Sequence, residues 1–103
     1  MARTEWAAVT DAYDGSAHDA ASGFLHFSTR EQLPETLRRH YAGQDNLLLV
    51  AVDSVQLGAA LKWERAPSRG EDFPHLYGPL RKNSVLWVKP ITKDAQDGFI
   101  IPE

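Results

Sequence analysis

Apolar residues recur along the chain with two spacings, one typical of helices and one typical of strands. Residues 3–13 have an apolar side chain at every third or fourth position, which predicts a short helix. The capping sequence STRE at residues 28–31 predicts the start of a longer helix, and Gly43 predicts its end near residue 42. Residues 16–22 are small and polar and are therefore predicted to form a loop.

The strand-like segments are short, and their mixture with helices predicts an α+β fold. Residues 46–53, NLLLVAVD, contain a continuous apolar run and are expected to form the central strand, covered on both faces. Residues 54–58 can form one helical turn. We expect a curved, mixed and largely antiparallel sheet packed against one long and one short helix. Further strands are predicted at residues 23–27, 60–64, 75–77 and 84–88, with an edge strand at residues 99–101.

Length and composition indicate one globular domain over residues 1–103. Hydrophobic residues make up 43% and charged residues 24%, which is typical of a folded domain with a single core. No run of about 18 apolar residues and no signal-peptide pattern occurs, so we expect a cytoplasmic protein without membrane contact. The absence of cysteine excludes disulfides, zinc–thiolate sites and thiol nucleophiles.

The net charge of −3 is unevenly distributed along the chain. Residues 1–60 have four Lys or Arg against eight Asp or Glu, whereas residues 61–93 have seven against three. The basic second part could attract a phosphate-bearing ligand, although scattered surface charge gives the same count. The overall acidity and the absence of a helix-turn-helix, finger or ribonucleoprotein motif argue against sequence-specific DNA binding.

Two histidines lie inside apolar strand segments, where an imidazole needs a hydrogen-bond partner. In the first of these strands, alternation places Phe24, His26 and Ser28 on one face, and Thr29 follows directly. This polar cluster could orient a ribose or a phosphate, and His75 is expected to face His26 across a cleft. The other interpretation is a core histidine that is satisfied beside a helix cap.

The remaining candidate side chains have weaker sequence signals. His18 in a polar segment and His40 on the long helix are expected to be structural or solvent-facing. Trp63 is expected in the core or in a pocket wall, and Glu64 on the opposite side of its strand could be a general base or an arginine partner. A serine triad would lack the G-x-S-x-G elbow. No metal-ligand spacing, P-loop or dinucleotide-binding glycine motif occurs, so no metal site is expected.

Six segments occur in the order GFLHFST, HYAGQ, NLLLVAVD, LGAALKWE, FPHLYGPL and VLWVKP. In this combination residues 4–92 resemble a small bacterial family catalogued as domain of unknown function 952, and residues 93–103 form a tail. The family is grouped with the ADP-ribosyltransferase-like superfamily, so the resemblance implies a split, curved sheet with a cleft for NAD or a similar nucleotide. By this analogy His26 and Ser28 would hold ribose hydroxyls, and an aromatic ring would stack on nicotinamide. We therefore expect catalytic roles for His26 and His75, and binding roles for Ser28, Thr29, Trp63, Glu64 and Tyr77.

The start of the chain differs from the usual family pattern. Family members usually have an I-Y-K-I or I-Y-H-I strand before an R-x-x-W segment, whereas Met1 and Ala2 directly precede Arg3 here. This difference indicates an exposed sheet edge, a misassigned start or a lost activity, and residues 99–101 could cover the gap. Three functions remain open: an enzyme of NAD or ADP-ribose chemistry, a non-catalytic small-ligand-binding module, and a protein-interaction domain that uses the open edge.

Overall fold

The computed structural model describes residues 1–102 and combines short helices with short strands. The helices are α1 (Arg3–Ala7), α2 (Ala17–Ser22), α3 (Leu33–His40) and α4 (Ser54–Leu57), with 3₁₀ turns at Gly58–Ala60 and Lys82–Ser84. The strands are β1 (Ala12–Tyr13), β2 (Leu25–His26), β3 (Leu47–Val52), β4 (Leu61–Ala66), β5 (Glu71–Leu76), β6 (Leu80–Arg81), β7 (Val85–Lys93) and β8 (Phe99–Ile100). The predicted α+β class is confirmed.

The strands form three antiparallel sheets rather than the single curved sheet expected from the sequence. One sheet has the strand order β2–β5–β4, a second has the order β3–β7–β8, and β1 pairs with β6. All of these pairings are antiparallel. Several of the strands have only two residues, so they cannot extend one sheet across the whole domain.

Two clusters of buried apolar side chains hold the sheets and helices together. The first consists of Leu25, Leu76 and Leu80. The second consists of Leu37, Leu47 and Ile91. Leu47 and Leu76 are each only 2% exposed, and full burial of one leucine contributes about 1.5–3 kcal/mol. The first cluster fixes one face of β5, and this positions the opposite face, where the histidines lie.

The predicted helix over residues 3–13 is wrong beyond Ala7, where α1 ends. Ala12 and Tyr13 instead pair with β6 as a two-residue strand. The Tyr13 hydroxyl donates to Glu5 Oε2 at 3.1 Å, which connects this strand to α1. A helix this short is marginal without packing, so pairing with β6 decides the conformation of the later residues.

The predicted loop at residues 16–22 is also wrong, since Ala17–Ser22 form helix α2. Ser16 caps this helix: its Oγ accepts from the Asp19 amide at 3.2 Å, and the Asp19 carboxylate accepts from the Ser16 amide at 2.9 Å. Gly23 ends the helix in the left-handed conformation, with φ 87°. The S-x-x-D cap and the glycine are helix signals that the small, polar composition obscured.

The long helix α3 is present, but both of its ends differ from the prediction. The helix begins at Leu33, and a reciprocal cap of Thr29 with Gln32 closes the turn before it, one residue beyond the predicted pair. The Thr29 amide donates to Gln32 Oε1 at 3.0 Å, and the Gln32 amide donates to Thr29 Oγ1 at 3.2 Å. The helix ends at His40 rather than near residue 42. Thr29 is therefore engaged in the cap.

Strand β3 was predicted to be central, but β7 is the central strand of this sheet. It pairs with β3 on one side and with β8 on the other. The outer side of β3 is partly paired with the first residues of the chain, since the Leu48 amide donates to the Met1 carbonyl at 2.8 Å. The predicted edge strand at residues 99–101 is confirmed as β8. It covers β7 rather than the edge beside Met1, which corrects the expected placement.

Candidate functional site

The register of β2 and β5 brings two histidines side by side. His26 is paired directly with His75 across these antiparallel strands, so both side chains project from the same face. Their ring centroids are 5.6 Å apart, with the ring planes at 64°. Leu25 and Leu76, the neighbours that project from the other face, are packed in the core. The two imidazoles therefore share a face, as alternation predicts.

A carboxylate from α2 orients His26. Asp19 Oδ1 lies 2.6 Å from His26 Nδ1 and also accepts from the His26 amide at 3.2 Å. The other oxygen, Oδ2, accepts from the amide and the hydroxyl of Ser16 at 2.9 and 3.1 Å. Asp19 is only 9% exposed. This one carboxylate therefore closes the cap of α2 and docks the helix on β2.

Strand β4 supplies the carboxylate that orients His75. Glu64 Oε1 lies 2.9 Å from His75 Nδ1 and accepts from the Tyr77 hydroxyl at 2.6 Å. In the β4–β5 register Glu64 is opposite Phe73, so it reaches His75 diagonally on the same face. His75 is 7% exposed, whereas Tyr77 at the rim is 42% exposed.

Aromatic side chains pack around the two histidines. The Phe24 ring is stacked on His75 with centroids 4.0 Å apart, and it lies 4.7 Å from His26. Tyr77 lies 5.3 Å from the same phenyl ring. His18 of α2 stacks on His26 with centroids 4.5 Å apart. His18 is exposed, as expected for a solvent-facing side chain, and it also contacts the candidate site.

Hydrogen bonds favour the ionised form of both carboxylates. Burial opposes the ionisation of Asp19, but bonds from the α2 cap and from His26 outweigh it and lower its pKa. The Tyr77 hydroxyl and then the His75 ring lower the pKa of Glu64. The same bond raises the pKa of Tyr77, because its ionised form would face a carboxylate. Near neutral pH each imidazole Nδ1 therefore faces an ionised carboxylate.

This arrangement leaves Nε2 of each ring available for chemistry. A carboxylate accepts hydrogen, so each Nδ1 carries the proton and Nε2 of a neutral ring is an acceptor. Nε2 of His75 has no hydrogen-bond partner within residues 1–102. Every fully buried side-chain nitrogen in that range has a partner, so Nε2 of His75 must reach solvent. The His26 side chain is 32% exposed. Two oriented imidazoles of this kind can act as a general acid and a general base.

Both the sequence and the fold have relatives. The family model described as Protein of unknown function (DUF952) matches residues 1–88. The chain belongs to the DUF952 family. The crystal structure of protein CC0527 from Caulobacter crescentus is 40% identical to this DUF952 chain, with a TM-score of 0.90 over 97% of this chain and 89% of that one. The solution NMR structure of CC0527 is 41% identical, with a TM-score of 0.84 over 95% and 85%. No curated protein matches the chain.

Three predicted binding residues of this DUF952 protein lie outside the histidine cluster. Ser28 Oγ is 2.8 Å from Thr36 Oγ1 of α3, and Thr29 caps that helix. Trp63 alternates with Glu64 and so points to the opposite face, where it is 55% exposed rather than part of the core. The predicted residues that the structure does bring together are His26, His75, Glu64 and Tyr77.

Sequence reasoning missed Asp19 and His18 as members of the site. Both lie on α2, the segment predicted as a loop, and docking of this helix on β2 brings them to His26. The S-x-x-D cap was the available signal for the helix. Alternation had placed Phe24 on the correct face but gave no sign of its contact with His75.

A depression of about 260 Å³ lies on the side of β2 and β5 that Leu25 and Leu76 face, and Asp19 and Phe24 also form part of its wall. A second groove of about 360 Å³ lies elsewhere, between α3 and the connection of β7 with β8. In residues 1–102 no group of three His, Cys, Asp or Glu side chains is placed to hold a metal ion. No helix of the described chain is long and apolar enough to cross a membrane.

Proposed function

We propose that this DUF952 protein binds a nucleotide of the NAD or ADP-ribose class at the paired histidines and processes it by acid–base chemistry. The observation that carries the proposal is the cross-strand pair of His26 and His75, each with a carboxylate on Nδ1. The resemblance to the ADP-ribosyltransferase-like superfamily supports a ligand of this class. A non-catalytic nucleotide-binding module is the alternative, and it would use the same face.

The face offers both hydrogen-bonding and stacking groups to a nucleoside. Nε2 of His26 and of His75 can accept from ribose hydroxyls. Phe24 and the half-exposed Tyr77 provide rings on which nicotinamide or adenine can stack. Because carboxylates already orient both imidazoles, little further side-chain order is lost when a ligand binds.

In the catalytic form of the proposal, His26 acts as the general base. Its side chain is 32% exposed, against 10% for His75, so it is the more accessible of the two rings. Its Nε2 takes a proton from a water or an acceptor hydroxyl, whose oxygen bonds to the anomeric carbon of the ribose. The bond from this carbon to nicotinamide breaks, and its electron pair remains on the nicotinamide nitrogen. Asp19 stabilises the imidazolium that forms.

An NMR titration of the protein amides with NAD, ADP-ribose and AMP tests binding residue by residue. We expect saturable shifts at residues 24–29 and 73–78, which surround the two imidazoles. Ligand spectra recorded over hours then separate an enzyme from a binding module, because only an enzyme forms product beyond one equivalent. Absence of shifts for all three nucleotides at these residues would refute the proposal.

Asparagine variants test the two histidines without removing the donors to their carboxylates. The amide nitrogen of His26→Asn or His75→Asn can replace Nδ1, while Nε2 is lost. We expect turnover to fall by about 10²–10⁴-fold in His26→Asn, the range of general acid–base catalysis. Ser22→Ala, an exposed position on α2, is the matched control and should retain full activity. Unchanged turnover in His26→Asn contradicts its role as base.

A further inference from the structure

Arg69, in the turn between β4 and β5, is fixed in position without a counter-ion. Its Nη1 donates to Thr36 Oγ1 at 3.1 Å, and its Nη2 donates to the Gln32 carbonyl at 3.3 Å. The guanidinium lies 4.5 Å from the centroid of the Phe73 ring. No carboxylate of residues 1–102 forms an ion pair with it. Neutral oxygens and an aromatic ring therefore hold a charge that no described carboxylate neutralises.

Both hydrogen-bond partners of Arg69 share one stripe of α3 with His40. Gln32, Thr36 and His40 are spaced by four residues, so they share one side of the helix. The Thr36 hydroxyl also lies 2.8 Å from Ser28 Oγ, in the segment that follows β2. This stripe therefore connects the β4–β5 turn with the end of β2, beside the paired histidines.

His40, at the end of this stripe, is influenced by two arginines. Burial is the largest influence that lowers its pKa. The positive charges of Arg69 and Arg39 lower it further. Glu35 is bound by two arginines of α3, whereas Glu71 accepts from the neutral amide of Gln32 at 3.3 Å and keeps its charge. Arg69 therefore remains a fixed guanidinium on this side of the site without a carboxylate partner among residues 1–102.

We infer that Arg69, His40 and the hydroxyls of Ser28 and Thr36 form a binding site for a phosphoryl group, adjacent to the paired histidines. The inference rests on the proposed function, and it assigns the phosphate part of the ligand to the α3 side of the face. The Nε–H of Arg69 has no acceptor among the described atoms. Together with the remaining Nη hydrogens, it can donate to two phosphate oxygens. Protonated His40 can donate to a third. A dianion at this position would be attracted by the Arg69 guanidinium.

The alternative is that Arg69 only fastens the β4–β5 turn to α3. The two roles differ at His40, whose ring forms no hydrogen bond with Arg69 or with its acceptors. The variant His40→Gln therefore leaves the anchoring of Arg69 intact and removes only the titratable ring. A loss of phosphate binding in His40→Gln cannot come from loss of the anchor.

The test uses inorganic pyrophosphate, adenosine and ADP-ribose as separate NMR probes on the whole chain. We expect pyrophosphate to shift the amides of residues 36–41 and 68–70 and to raise the pH at which the His40 ring protons titrate. Arg69→Gln and His40→Gln should each weaken pyrophosphate binding by roughly tenfold or more, which corresponds to about 1.4 kcal/mol. Arg65→Gln is the matched control, because Arg65 is on the same hairpin but is exposed and paired with Asp72.

The probes separate this inference from the proposed function. If pyrophosphate binds as expected but adenosine and ADP-ribose leave residues 24–28 unshifted, the phosphoryl site stands and the nucleotide function falls. The phosphoryl site is overturned if ADP-ribose shifts residues 24–28 while Arg69→Gln and His40→Gln bind pyrophosphate and ADP-ribose as tightly as the wild type. Absence of pyrophosphate shifts at residues 36–41 and 68–70 overturns it as well. Should Arg69→Gln fail to fold, His40→Gln decides.

Discussion

Replacement of Asp19 by alanine should destabilise the fold strongly, because one buried carboxylate accepts four hydrogen bonds. They come from the Ser16 amide and hydroxyl and from the His26 amide and ring. Loss of the bonds to His26 costs about 1.5–3 kcal/mol, the usual range for a charged acceptor. Loss of the negative charge in the first turn of α2 adds about 0.3–1 kcal/mol. We therefore expect the free energy of unfolding to fall by about 3 kcal/mol.

Urea unfolding at pH 7 followed by tryptophan fluorescence measures this loss. Asp14→Ala is the matched control, because Asp14 is an exposed acid of the same segment, and it should change stability by less than about 0.5 kcal/mol. The melting temperature of Asp19→Ala should fall by about 12–24 °C, since each kcal/mol is worth about 4–8 °C in a domain of this size. A loss below about 1 kcal/mol would refute the view that this carboxylate docks α2 on β2.

The same variant has a predicted pH dependence. The pKa of Asp19 is lower in the folded chain than its unfolded value of 3.8, so the folded state favours the ionised form. Its contribution to stability is therefore fully present above the unfolded pKa and is lost as the pH falls through the folded pKa. The difference between wild type and Asp19→Ala should shrink in acid below pH 3.8. A difference in stability between the two proteins that stays constant below pH 3.8 would contradict the lowered pKa of Asp19.

Two further substitutions test the surroundings of the site. Gly15→Ala should cost about 1–3 kcal/mol more than Gly43→Ala in the urea assay; both have positive φ, but only at Gly15 would the added Cβ lie 2.6 Å from Leu25 Cδ2. Equal losses would contradict this steric argument. Tyr77→Phe should raise the pKa of Glu64 toward 4.5, because the hydroxyl is the largest influence that lowers it. A ¹³C NMR titration of the carboxyl group that shows no change would contradict the bond.

Long periodic segments could be predicted because many positions repeat the same pattern. Strand β3 and helix α3 extend over six and eight residues and were expected close to their observed places, whereas β7 continues to Lys93, beyond its predicted end at residue 88. Short elements were predicted less well, since they depend on a partner elsewhere in the chain. Tyr13 is extended because β6 pairs with it, although its spacing from Trp6 and Val9 is helical. The order of strands follows from pairing as well, so the apolar character of β3 did not reveal its lateral position.

The candidate site was predictable only where it depends on alternation within a strand. His26 and His75 share a face because of strand geometry and register, and Trp63 is separated from Glu64 by the same rule. The carboxylate of Asp19 comes from a docked helix, and no spacing in the sequence reports that contact. The positive charge around His40 likewise arises from segments far apart in the chain.

The length of one face of β5 sets a scale for any ligand that uses all of it. Phe73 and His75 lie on this face and Tyr77 directly follows the last residue of β5. Same-face positions of an extended chain are about 6.6–6.8 Å apart, so the three residues span about 13 Å. A compound that reaches from Tyr77 to the guanidinium above Phe73 must be longer than a single nucleoside. Two weakly binding fragments, one for each end, should therefore gain affinity when a linker of this length joins them.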